Sequence, residues 1–128
     1  MSKRKRIMVC VTQQKSCDRL LSRADDIRNG KDELFVIHVV KENWRYFGQL
    51  KESDALDYLF EIAKDYGASL NVKKSKDIEE TLKNFAVDNK IDIIIMGESL
   101  ENSQQQNMIK RLQKKISKEV IFDIVPVE

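Results

Sequence analysis

The chain has 128 residues, 41% of them hydrophobic and 34% charged, with one proline, four glycines and a formal net charge of +2. That length suits one domain, over 1–128, in which roughly two-thirds of the extended-chain surface is buried. The near balance of charge argues against nucleic acid as a partner. No apolar stretch reaches the ~20 residues of a membrane span and the amino end lacks a signal-peptide core, so a cytoplasmic protein without membrane insertion is expected.

Lys3 to Arg6 are basic, and residues 1–5 read as a disordered tail. Arg6 to Val11 is a first strand, and the polar turn Thr12 to Lys15 leads into a helix over Ser16 to Asn29 that ends at Gly30. Leu34 to Val40 is almost continuously apolar, the pattern of a strand covered on both faces. Lys41 to Gln49 reads as a loop with Trp44, Tyr46 and Phe47. Leu50 to Tyr66 reads as a helix with Leu56, Leu59, Phe60 and Ala63 on its buried stripe, stopping at Gly67. Ala68 to Lys73 is a short alternating segment that suits an edge strand, and Asp77 with Glu80 forms a capping-box pattern for a helix over Ile78 to Asn89. Ile91 to Met96 is the most apolar strand and ends on Gly97. The polar loop Glu98 to Ser103, a helix over Gln104 to Ser117 and a last strand over Val120 to Val127 complete the chain.

Strands and helices that alternate in this way need right-handed crossovers covering both faces of an open parallel sheet, an α/β fold with the expected strand order 3-2-1-4-5. The winding then reverses between the first and fourth strands, and ligands of such sheets sit in the crevice beyond the carboxyl ends at that point. Thr12, Gln13, Gln14, Lys15 and Ser16 follow the first strand there, with amides, hydroxyls and an ammonium that suit ribose or phosphate as well as an ordinary turn. Gly97, Glu98, Ser99 and Ser103 follow the fourth, and Lys110 and Arg111 with Lys114 and Lys115 give the last helix either an anion-binding group or a solvated basic face. Trp44, Tyr46 and Phe47 would stack on a base or close the edge of the core. His38, inside an apolar strand, reads as buried and hydrogen-bonded, and six residues between Cys10 and Cys17 match neither a disulfide framework nor a zinc site, so no metal is expected.

The stretch DIEETLKNFAVDNKIDIIIMGES, Asp77 to Ser99, resembles the universal stress proteins, in which a helix with a Leu-x-x-Phe-Ala core leads into an apolar strand ending in glycine. VCVTQQKSCDRLLSRADDI, Val9 to Ile27, is most similar to the stress-protein-like domain of the potassium sensor kinase KdpD. The resemblance implies an adenine nucleotide alpha hydrolase-like fold and a non-catalytic regulatory module that binds a nucleotide-like ligand, ATP, AMP or a cyclic dinucleotide. It further implies a homodimer and a signalling protein partner. It places backbone groups of Val39 and Val40 against a purine ring.

The ATP-binding branch of that family ends its first strand on aspartate and follows its fourth with Gly, two residues, Gly, nine residues, Gly and Ser or Thr. Here Thr12 stands at the aspartate position, and Leu100, Lys110 and Arg111 stand where the later glycines and the hydroxyl residue belong. Leu100 would obstruct the close approach of backbone amides to phosphate, so the alternative is a dimeric scaffold that has lost ATP and pairs through its fifth strand.

Overall fold

The computed structural model describes residues 5–11, 17–41, 46–47, 50–97 and 103–126. The elements are β1 (Arg6–Cys10), α1 (Cys17–Ile27), β2 (Glu33–Lys41), β3 (Tyr46–Phe47), β4 (Leu50–Lys51), α2 (Glu52–Asp65), β5 (Ser69–Ser75), α3 (Ile78–Asp88), β6 (Ile93–Gly97), α4 (Ser103–Lys115) and β7 (Ile121–Val125). Five strands form one parallel sheet in the order β5-β2-β1-β6-β7. Counting only these five, that is the expected 3-2-1-4-5.

The apolar runs are continuous because each strand supplies both faces. In β1 and the residue after it, Ile7, Val9 and Val11 pack with Leu20, Leu21, Ala24, Leu59 and Ala63 of α1 and α2. Met8 and Cys10 turn to the opposite face and pack with Leu82, Phe85, Ala86, Ile109 and Leu112 of α3 and α4. β6 repeats the division, with Ile93 and Ile95 on one side and Ile94 and Met96 on the other. The rings of Phe35 on β2 and Phe85 on α3 meet edge to face at 6.0 Å. The edge strands are wetter, Lys73 and Lys74 of β5 being exposed and Ile121 of β7 being 59% exposed.

Three details correct the sequence reading. β3 and β4 pair antiparallel, Tyr46 opposite Lys51 and Phe47 opposite Leu50, where a loop and the start of a helix were expected. Two-residue strands carry no periodic signal for sequence analysis to detect. Phe60, expected on the buried stripe of α2, is 56% exposed, while Leu59 and Ala63 are buried as expected. The reciprocal half of the capping box is replaced: Asp77 Oδ1 accepts from Glu80 N–H, but Asp77 N–H donates to Ser75 Oγ.

Helix ends explain the strand starts. Gly67, at φ 67°, closes α2 with hydrogen bonds from Gly67 N–H to Lys64 O and from Ala68 N–H to Ala63 O. Lys90, at φ 52°, does the same for α3, and Ile91 N–H donates to Ala86 O. Ile91 therefore belongs to the helix cap, which is why β6 begins at Ile93 rather than at the first residue of the apolar run.

The amino ends of the strands are stitched together. Arg6 N–H donates to Asp92 Oδ2 at 2.9 Å and Arg6 Nη1 to Asn89 O at 2.9 Å. Asp32 accepts from Lys5 N–H at 2.9 Å and Asn29 N–H at 3.0 Å. Hydrogen bonds from the Asn29 and Lys5 amides hold the Asp32 carboxyl below the usual carboxylate range.

Candidate functional site

β1 lies between β2 and β6, so the winding reverses beside it, and open sheets of this kind take their ligands beyond the carboxyl ends of the strands at that point, here β1 and β6. Val11, one residue past β1, donates its N–H to Ile37 O at 2.9 Å. His38 on β2 is 1% exposed, and its Nδ1–H donates to Val11 O at 2.7 Å. Both backbone groups of Val11 are thereby tied to β2.

Gly97 is the last residue of β6, opposite Val125 of β7. It is buried and shares the face of Ile93 and Ile95, toward α1. A Cβ at this position would stand 3.3 Å from Arg19 Nη2 and 3.5 Å from Leu20 Cδ2. The guanidinium of Arg19, from the first turn of α1, therefore rests on the end of β6, and its Nε is buried with no hydrogen-bond partner.

Arg19 is not among the residues expected at the crevice, because an arginine on an amphipathic helix reads as part of its solvated face. Arg19 immediately precedes Leu20 and Leu21 of the buried stripe, and that adjacency was the one available signal.

Thr12, Gln13, Gln14, Lys15, Ser16, Glu98 and Ser99 lie outside the described residues, as do Trp44 and Leu100. Val39 is 9% exposed, with its side chain in the core beneath α3 and α4. Val40 is near the end of β2, in register with Lys74, and Ser103 opens α4. Lys110 is exposed. Arg111 Nε lies 2.6 Å from Glu79 Oε1, and Lys115 Nζ lies 2.5 Å from Glu79 Oε2. Hydrogen bonds from Lys115 and then Arg111 hold the Glu79 carboxyl below its usual range. The structure thus gives Arg111 a carboxylate partner, tying α3 to α4.

Burial pushes the Cys10 thiol up to about 12, which makes it an inert core residue rather than a nucleophile. Among the described residues no group of three His, Cys, Asp or Glu side chains is placed to hold a metal ion, and no helix is long and apolar enough to cross a membrane.

No family model and no curated protein matches the chain. Solved structures do. The hypothetical protein MJ0577, whose structure served to assign its biochemical function, aligns over 97% of this chain and 96% of its own at a TM-score of 0.71 and 20% identity. A universal stress protein in complex with cAMP aligns over 99% and 98% at 0.59 and 18%. The universal stress protein from Archaeoglobus fulgidus in complex with dAMP aligns over the full length of both chains at 0.60 and 12%. The chain has the fold seen in the universal stress proteins.

Proposed function

We propose that the chain is a non-catalytic cytoplasmic regulatory module of universal stress protein type, a single domain akin to the one in KdpD. It binds a nucleotide-like ligand beyond β1 and β6 and passes its state to a signalling partner. The reading is carried by the crevice itself: the sheet reverses its winding where β6 ends on a side-chain-free residue, and a cation lies over that residue. Solved structures with this fold hold cAMP and dAMP, which favours an AMP-like ligand over ATP. Thr12 to Ser16 would contribute polar groups to the same crevice. Turnover is not expected. The single histidine is engaged through Nδ1 with a main-chain carbonyl, and the Cys10 thiol stays protonated in the core.

One observation favours a second reading, a dimeric scaffold without ligand: β7 is an edge strand, and its Ile121 is 59% exposed. Native mass spectrometry of protein purified without added nucleotide separates the two. A homodimer carrying the mass of an adenine nucleotide is the expected result, and a ligand-free dimer would transfer the assignment to the scaffold. A ligand-free monomer that stays unliganded when AMP is added would overturn both.

A further inference from the structure

We propose that Arg19 is the anion-binding group of the crevice and takes the phosphate of a nucleoside monophosphate, in preference to the cations of α4. The inference rests on the nucleotide reading above and assigns its polar contact. Arg6, Arg23, Arg28 and Arg111 each face a carboxylate, those of Glu33, Asp123, Asp25 and Glu79. Among the described residues Arg19 is the one arginine without an ion pair, and its Nε is cut off from water with nothing to accept its proton. A buried, unpartnered donor on a charged group is costly to the fold. Its position adds to that cost, because Arg19 sits in the first turn of α1, where the helix dipole favours anions and disfavours cations.

Both costs reverse when an anion enters the crevice. The guanidinium presents a planar fork of donors matched to two phosphate oxygens, and the same helix end that repels Arg19 attracts the phosphate. Gly97 supplies the space: any side chain there would press on the guanidinium, whose nearest atom would stand 3.3 Å from the new Cβ. Arg19 is therefore poorly placed for the empty fold and well placed for a phosphate at the carboxyl ends of β1 and β6.

The test is calorimetric titration of wild type, Arg19→Met and Arg19→Lys with AMP, adenosine and inorganic phosphate, together with thermal unfolding of the ligand-free proteins. Met keeps the apolar stem and removes the charge, whereas Lys keeps the charge and removes the fork. AMP is expected to bind R19M about 10- to 100-fold more weakly than wild type, from the strength of charge-assisted hydrogen bonds, and R19K in between. Adenosine should bind all three alike, and ligand-free R19M should melt no lower than wild type.

Equal AMP affinity in wild type and R19M would overturn the assignment of Arg19 and leave the nucleotide reading standing. Phosphate binding lost in R19M, with no heat from AMP or adenosine on any protein, would support the anion site and overturn the nucleotide reading. No heat from any of the three probes on wild type would overturn both. A lower melting temperature of ligand-free R19M with AMP affinity retained would show that Arg19 is structural.

Discussion

The two ends of the sheet solve opposite problems. At the amino ends, the polar groups are paired: Asp92 and Asp32 accept main-chain N–H groups, and Arg6 bridges Asn89 O and Glu33. At the carboxyl ends, by contrast, a buried histidine holds the last residue of the first strand run, and an arginine lies over a glycine with a buried donor unmatched. One end is closed by the protein's own hydrogen bonds. At the other, among the described residues, the Arg19 Nε is a buried donor without a partner, beside the point where the winding reverses.

The largest effect is expected from the apolar floor under the open end. Leu20, 1% exposed and packed beside Gly97, should cost about 3 kcal/mol when changed to alanine, read from urea unfolding. A loss below about 1 kcal/mol would mean that this end is loosely packed and the contrast with the other end is one of order, not of hydrogen bonding.

At the closed end, Asp92→Ala should lose about 1–2 kcal/mol by the same measurement, since it strips the acceptor from Arg6 N–H. Glu79→Gln should lose about 1 kcal/mol by removing the carboxylate shared by Arg111 and Lys115. It should leave AMP affinity unchanged in calorimetry. A tighter complex would show that the freed Arg111 belongs to the site.

The smallest effect is one of pH. Asp32 has its carboxyl pKa depressed in the fold, so its contribution is fully present above the ordinary aspartate range and is lost as pH falls through the folded-state value. Asp32→Asn should therefore flatten the acid side of the stability profile, below about pH 4 for an ordinary aspartate reference, while leaving its neutral and alkaline shape alone. Melting temperatures from pH 2 to 8 check this.

The fold was legible because its signals are local. Leu34 to Val40 and Ile93 to Met96 are almost continuously apolar, the pattern of a strand covered on both faces. Asn29-Gly30 and Gly67 lie where α1 and α2 give out, as expected. The hairpin at Tyr46 to Lys51 was not legible, because two residues cannot display a period. The proposed site was legible only as a place. Gly97 and the residue run after the first strand follow from strand order, but Arg19 becomes a candidate only when α1 is laid against the end of β6, a contact between residues 78 positions apart. Arg111 illustrates the converse: in sequence it joins a basic run, and in space it meets Glu79 on another helix.

The most direct test of the contrast is a two-dimensional nitrogen–proton NMR titration with AMP, following the Gly97 amide and the Arg19 Nε–H alongside the amides of Arg6 and Asp92. The account predicts saturable shifts at Gly97 and Arg19 with Arg6 and Asp92 stationary. Shifts centred on Arg6 and Asp92, or none at Gly97 and Arg19 at saturating AMP, would contradict it.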